Sequence, residues 1–397
     1  MDNEFENLST NNFIDKEFGK SGMNISRRVG TKSIVLLLAI TISFAGSVFI
    51  FVYFLAHCNS ESIDYWNIVQ ERENCYCGDE MMCFSPVNLT FAGQKFDCDL
   101  LNTLRNLKLL DSQTRNMKFY DSIFYKFSAS NWTPTFVTAA SENHFKELRH
   151  LVHNIQENTK NGKIVFYDLG LSRKSVEELK TWCNVEYHRF PFEIYPEHVR
   201  NLKNFAWKML LIAEYLNKSP DFFYFDTSVM IADGDDITVF PRTVISGEVD
   251  PYILFSNVGH SVYSATYSSM LSYLPISKQM AQKTEMFQAT INYIVDHWFT
   301  RQIFKWAVLC ALTKECIDPE GTSTSCQFGE DQYNFSGNCH RYDQSVINII
   351  VNNLRHRDFY GKQVFDSLSP THPMKLFGYK LQVSRGNEYN GKLNTCT

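Results

Sequence analysis

An aspartate and two hydroxyl side chains close an apolar, aromatic-rich stretch of the chain. Residues 222–229 predict a buried strand of a parallel sheet, with Asp226, Thr227 and Ser228 toward its carboxyl end. Open α/β sheets bind ligands at the carboxyl ends of their strands, where a carboxylate and a hydroxyl group can meet a metal ion or a polar substrate. The alternative interpretation is an Asp-Ser turn that only ends the strand.

Small residues form a second candidate site between a predicted strand and a predicted helix. Thr138, Ala139 and Ser141 end the first strand and precede a helix that starts at Glu142. Small side chains let a ligand approach the backbone, and a helix N-terminus favours a phosphate group. The alternative is a tight turn in which Ser141 caps the helix.

Two charged residues further along the chain are candidates for the same chemistry. Lys208 could meet a phosphate group, although a surface lysine whose stem lies along the protein is the simpler interpretation. Asp343 could deprotonate an attacking hydroxyl group. Equally, an acidic side chain in the first turn of a helix interacts favourably with the helix dipole.

Strands and helices alternate in the middle of the chain. The predicted strands cover residues 136–140, 163–168, 185–190 and 222–229, and the predicted helices cover residues 142–158, 172–182 and 202–216. This alternation indicates βαβ units, and hence an α/β fold with a Rossmann-type, mainly parallel sheet flanked by helices. Residues 284–310 predict one further long helix.

The N-terminal part of the chain predicts a membrane anchor. Residues 33–56 contain no charged residue and no proline, and as a helix of roughly 36 Å they are long enough to cross a bilayer. Lysine and arginine precede this run, which places the N-terminus in the cytosol. The sequence therefore predicts a cytosolic tail (1–32), a transmembrane signal anchor (33–56), a lumenal stem (57–131), a lumenal domain (132–380) and a C-terminal tail (381–397).

All 11 cysteines follow the predicted membrane span, which suits an oxidising compartment. Most of them form two local clusters, each expected to close its own loops: Cys75, Cys77, Cys83 and Cys98, then Cys310, Cys316, Cys326 and Cys339. A zinc site is the weaker alternative, because neither cluster has paired Cys-x-x-Cys spacing. Because the number is odd, Cys58 at the membrane exit is the candidate for a disulfide-linked homodimer.

Composition and short motifs add two expectations. A net charge of −5 gives no support for nucleic-acid binding, which requires a basic face. Asn88, Asn131 and Asn334 each begin an Asn-x-Ser/Thr motif, so they are candidate glycosylation sites on the lumenal side.

The chain resembles a family of uncharacterised glycosyltransferase-like type II membrane proteins known mainly from nematodes. The resemblance extends over about residues 130–370 and rests on the segments 136–145, 165–171, 192–198, 207–208, 226–229, 306–312 and 340–345. It implies the GT-A fold of nucleotide-diphospho-sugar transferases, a location in the Golgi and a sugar transferred from a nucleotide-sugar donor to a glycan or glycoprotein. Asp168 and Gln344 lie in these segments and are further candidates for donor binding.

In the GT-A fold an Asp-x-Asp motif binds a divalent cation, manganese or magnesium, that bridges the diphosphate of the donor. Here Asp226 and Ser228 occupy the two positions, so the second carboxylate is missing and dependence on a metal ion is open. Residues 233–236 contain a literal Asp-x-Asp motif, but its glycine predicts a solvated turn. The competing function is a non-catalytic, lectin-like or receptor ectodomain on the same fold.

Overall fold

The computed structural model describes residues 74–356, apart from 87–90, 115–131, 233–235 and 248, together with residues 382–383, 389 and 391–396. All described residues belong to one compact unit. The predicted span at 33–56, Cys58, Asn88 and Asn131 lie outside the described residues. Within the described part of the chain, no helix is long and apolar enough to cross a bilayer.

The strands are short and are distributed along the whole described chain. In order they are β1 (Tyr76–Cys77), β2 (Glu80–Met81), β3 (Thr135–Ala140), β4 (Lys163–Asp168), β5 (Val185–Arg189), β6 (Asp221–Phe225), β7 (Val229–Met230), β8 (Tyr252–Leu254), β9 (Asn257–Ser261), β10 (Glu285–Phe287), β11 (Ile291–Val295) and β12 (Gln382–Val383).

Most of the longer helices follow or precede a strand of the central sheet. In order the helices are α1 (Leu101–Asn106), α2 (Asp111–Thr114), α3 (Phe145–Asn158), α4 (Arg173–Leu179), α5 (Ala206–Tyr215), α6 (Val239–Ile245), α7 (Lys278–Lys283), α8 (Trp298–Leu312), α9 (Lys314–Ile317) and α10 (Tyr342–His356).

The central sheet is mixed, with a parallel part formed by the predicted strands. Its strand order is β5-β4-β3-β6-β11-β8. Strands β3, β4, β5 and β6 are parallel, whereas β11 is antiparallel to both β6 and β8. The prediction of a mainly parallel α/β sheet is confirmed. The chain passes outward from β3 to β5 and returns on the other side of β3, so the strand order reverses between β3 and β6, which is where such sheets bind ligands.

Both faces of the sheet are covered, as expected for buried parallel strands. Tyr224 of β6 points into the core that contains α5, α8 and α10, and its neighbours Phe223 and Phe225 point into the core that contains α3. This alternation follows from the two-residue period of a strand. It also means that Asp226, two residues after Tyr224, extends toward α5 and α10.

Residues 74–114, which the sequence places in the stem, pack onto α8. Disulfides join Cys75 to Cys83 and Cys77 to Cys98, and the Phe84 and Phe96 rings lie against Trp306. A buried ion pair reinforces the contact, because Lys305 of α8 lies between the carboxylates of Glu80 and Asp111.

The second cysteine cluster also pairs internally, through the disulfides Cys310–Cys316 and Cys326–Cys339. The expectation that each cluster closes its own loops is thus confirmed. A fifth disulfide joins Cys183 to Cys396 and fastens the C-terminal segment beside β5. All cysteines in the described residues are therefore paired within the chain.

Two predicted helices differ from the observed ones. Residues 284–310 do not form one helix. They begin with β10 and β11, and α8 starts only at Trp298. The predicted helix at 202–216 is interrupted at Phe205, which has the left-handed conformation with a φ of 56°. Helix α5 begins directly after it, and Oδ1 of Asn204 accepts a hydrogen bond from the Ala206 amide at 3.0 Å.

Candidate active site

Lys208 is buried at the carboxyl edge of the sheet, with 2% of its surface exposed. Its Nζ atom lies 3.1 Å from Oδ1 and 3.3 Å from Oδ2 of Asp226, and 2.8 Å from Oδ2 of Asp343. The carbonyl oxygen of Ala289 lies 3.5 Å away. The interpretation of Lys208 as a surface lysine is therefore wrong, because the helix that carries it is buried on nearly all sides.

Asp226 is the member of this group that reaches solvent. It follows β6 directly, and its amide donates a hydrogen bond to the carbonyl of Thr290 at 2.9 Å. Its side chain is 25% exposed, compared with 7% for Asp343 and 3% for Lys208. The hydroxyl group of Tyr224 donates to its Oδ1 at 2.8 Å, so the carboxylate is held from two sides.

Asp343 reaches the same ammonium group from the opposite direction. It lies in the first turn of α10, as the helix-dipole interpretation predicts, and its carboxylate contacts Lys208. The position in the first turn is confirmed, whereas the role of Asp343 as a base stays a prediction. Two acidic residues 117 positions apart in the sequence share one lysine.

Burial and neighbouring charges shift the pKa values of Lys208, Asp343 and Tyr224. Burial lowers the pKa of Lys208, but the adjacent carboxylates of Asp226 and Asp343 outweigh it, and the pKa is raised above its ordinary value. Burial raises the pKa of Asp343, against the opposing effect of the Lys208 ammonium group. Burial and the Asp226 carboxylate raise the pKa of Tyr224, so its hydroxyl group stays protonated and donates.

The donor set around Asp226 does not fit a divalent cation. Manganese and magnesium require about six oxygen ligands, whereas both oxygens of Asp226 already face the Lys208 ammonium group. Ser228 lies in the turn closed by the Val229 amide and the Asp226 carbonyl, and it adds a neutral hydroxyl group. Within the described residues, no three acidic, histidine or cysteine side chains form a group that could hold a metal ion.

The first turn of α3, the helix that follows β3, lies beside the turn after β6. The hydroxyl group of Thr227 donates to Oε2 of Glu147 at 3.2 Å, in the first turn of α3. Thr138 and Ala139 are closed to solvent within β3, whereas Ser141 is partly exposed. Its Oγ atom donates to Asn143 and makes no helix-capping hydrogen bond. Of the three candidate residues here, Ser141 is therefore the one that a ligand can reach.

Asp168 and Gln344 have different surroundings. The Asp168 carboxylate accepts hydrogen bonds from the Gly170 and Leu171 amides and from the Tyr187 hydroxyl group, so it closes the turn after β4. The side-chain nitrogen of Gln344 is buried and has no hydrogen-bond partner in the described part of the chain. Gln344 follows Asp343 in the first turn of α10.

Tyr224 and Phe205 belong to the site but were not predicted from the sequence. Tyr224 precedes Asp226 by two residues, and this spacing places both side chains on one face of a strand. That signal was present in the sequence. The Phe205 ring lies 5.1 Å from Nζ of Lys208, and no sequence pattern indicates this contact.

A family model described as "Protein of unknown function (DUF1647)" matches residues 74–213, which include β3, β4, β5 and most of α5. No curated protein matches the chain in sequence.

The most similar solved structures include glycosyltransferases. The galactosyltransferase LgtC, in complex with donor and acceptor sugar analogues, has 13% identity and a TM-score of 0.31, over 54% of this chain and 70% of that one. The bifunctional glycosyltransferase WbbM has 9% identity and a TM-score of 0.31, over 56% of this chain and 44% of that one. An active-site mutant of LgtC has 14% identity and a TM-score of 0.29, over 54% of this chain and 69% of that one. At these values the likeness does not extend to a function.

Proposed function

We propose that this chain is a glycosyltransferase, which moves a sugar from a nucleotide-sugar donor to a hydroxyl group of a glycan or glycoprotein. The observation that carries the proposal is the position of Asp226. It is a partly exposed carboxylate at the reversal of strand order between β3 and β6, and Lys208 and Tyr224 fix its orientation. The resemblance of the sequence to glycosyltransferase-like membrane proteins supports the same reaction class.

In this proposal Asp226 is the general base. Its carboxylate accepts the proton of the acceptor hydroxyl group while the hydroxyl oxygen bonds to the anomeric carbon of the donor sugar. The bond from that carbon to the phosphate oxygen breaks, and the nucleoside diphosphate leaves with the electron pair. In the sequence, Asp343 is a candidate for the base, with a helix-dipole role as the equal alternative. That carboxylate is nearly closed to solvent and contacts Lys208, so we assign it to positioning the lysine.

A non-catalytic, lectin-like function is the second candidate. One observation favours it: Asp226, like Asp343, is already engaged in an ion pair with Lys208 in the described structure. A binding module has no need of a base that is free to react. Nucleotide release separates the two candidates, because only a transferase produces a nucleoside diphosphate.

The proposal includes a location in the lumen of the Golgi and an N-terminal membrane anchor. Five disulfides within the described residues support an oxidising compartment. The anchor at 33–56 and a disulfide-linked homodimer through Cys58 rest on the sequence alone. Non-reducing gel electrophoresis tests the homodimer, since Cys58→Ser should abolish a covalent dimer.

The function is tested with the purified full chain in detergent and a panel of nucleotide sugars. We expect one donor to release its nucleoside diphosphate, faster when a suitable glycan is present. Asp226→Asn should lower kcat by about a hundredfold or more, because it removes the base but keeps the shape of the side chain. Asp236→Asn is the matched control, since Asp236 is an exposed aspartate paired with Arg242, and it should change little.

Two results contradict the proposal. If no donor in a full panel releases nucleotide while glycans bind, the lectin-like function is the correct one. If a donor is turned over equally well by the wild type and by Asp226→Asn, the chain is a transferase but Asp226 is not its base.

A further inference from the structure

The ammonium group of Lys208 bridges two carboxylates as a metal ion would. Its Nζ atom is within 3.3 Å of both oxygens of Asp226 and 2.8 Å from Asp343. The GT-A fold that the resemblance implies has a divalent cation at an Asp-x-Asp motif, and Asp226 occupies the first position of that motif here. Here a side chain of the protein already supplies positive charge at that point.

The protein holds this ammonium group firmly in place. Rings of Phe205, Trp207 and Tyr224 lie between 5.1 and 6.0 Å from Nζ, close enough for cation–π attraction. The carbonyl of Ala289 accepts a further hydrogen bond. Moving Lys208 away to admit another cation would lose all of these contacts at once.

We propose that Lys208 is the permanent cation of this site and that it keeps divalent metal ions away from Asp226. A divalent ion bound to Asp226 would lie within a few ångströms of the ammonium group and would be repelled by it. Ser228 offers no charge that would offset this repulsion. The inference rests on the proposed function, which identifies these residues as the active site. It concerns metal binding, however, and is tested without any transfer reaction.

The first test measures manganese binding to the full chain from the electron paramagnetic resonance signal of free Mn²⁺. The wild type should have no Mn²⁺ site at Asp226, so Asp226→Asn should bind as much Mn²⁺ as the wild type. Lys208→Ala should gain a site at least about tenfold tighter than any in the wild type, because two carboxylates then face the space left by the ammonium group. The double variant Lys208→Ala/Asp226→Asn should lose that site again.

A second variant covers the case in which Lys208→Ala does not fold. Lys208→Met keeps the length and apolar stem of the side chain and removes only the charge, so it preserves the packing against Phe205 and Trp207. Its thermal unfolding midpoint should rise when Mn²⁺ is added, whereas the midpoint of the wild type should not change.

The proposal is overturned if the wild type binds Mn²⁺ and Asp226→Asn removes that binding. It is also overturned if neither Lys208→Ala nor Lys208→Met gains manganese binding. Neither outcome depends on sugar transfer, so failure of this inference is distinguishable from failure of the proposed function.

Discussion

The hydroxyl group of Tyr224 donates a hydrogen bond to Oδ1 of Asp226 over 2.8 Å, from the alternate position on the same strand. This bond fixes the carboxylate that the proposed reaction uses. Its strength is therefore open to measurement with a substitution that removes one oxygen atom.

Tyr224→Phe should lower kcat/KM by about tenfold, because loss of one hydrogen bond to a charged group is worth roughly 1.5 kcal/mol or more. Tyr293→Phe is the matched control. It removes a buried hydroxyl group that donates to Asp221 at the other end of β6, so it should lower the stability and leave kcat/KM nearly unchanged. Equal losses of activity in the two variants would mean that the effect is general and not specific to Asp226.

The disulfide between Cys183 and Cys396 should stabilise the fold more than a short-range disulfide. It joins residues 213 positions apart, for which the chain-entropy model gives up to about 5 kcal/mol, compared with about 2 kcal/mol for Cys310–Cys316 at a separation of 6. Denaturant unfolding of the two double Cys→Ser variants measures the difference. Equal losses would show that chain entropy is not the main contribution of the Cys183–Cys396 disulfide.

Acidification should destabilise the protein through His297, the residue before α8. Burial lowers its pKa to about 3, and Nδ1 accepts a hydrogen bond from the Phe299 amide. Because the unfolded chain takes up the proton near pH 6.5 and the folded chain does not, this contribution is present above pH 6.5 and decreases as the pH falls toward 3. Between pH 7 and pH 5 the loss is about 2 kcal/mol.

His297→Asn isolates this contribution. Asparagine keeps a side-chain acceptor for the Phe299 amide but does not titrate, so the free energy of unfolding should fall less between pH 7 and pH 5 than in the wild type. Denaturant titrations at the two pH values give the comparison. An identical pH dependence in both proteins would assign the acid sensitivity to other groups.

Glycosylation of Asn334 is expected if the chain enters the secretory pathway. Asn334 is exposed in the loop closed by the Cys326–Cys339 disulfide, where its side chain contacts only Asp331 among the described hydrogen bonds. Treatment with a glycan-removing enzyme should increase the gel mobility of the protein expressed in animal cells. Asn334→Gln should reduce that shift by one glycan, and an unchanged shift would show that the site is not used.

The sequence predicted the parallel part of the sheet because β3, β4 and β6 are mostly apolar runs and helical stretches separate the four strands. Strand β11 was missed for the opposite reason. Residues 287–293 alternate between apolar and polar side chains, which is the period of a strand. They continue into α8 without a proline or glycine, so no boundary in the sequence separates this strand from the helix.

The site was predictable only in part. Asp226 and Asp343 each stood out as acidic residues beside a strand end or a helix start. Their shared ion pair with Lys208 could not be predicted, because it depends on how α5 and α10 pack on β6. No local sequence pattern indicates that packing. The Cys183–Cys396 disulfide was missed for the same reason, since the two residues are far apart in the sequence.

Phe205 has a strained backbone conformation, and its ring contacts the Lys208 ammonium group. A non-glycine residue with a φ of 56° costs roughly 1 kcal/mol or more, and glycine would accept the same turn freely. Phe205→Gly, however, would remove the ring that lies over the Lys208 ammonium group. Because the ring also packs against the core, its loss would cost more than the strain it relieves, and a stabilised variant of this protein should not be sought there.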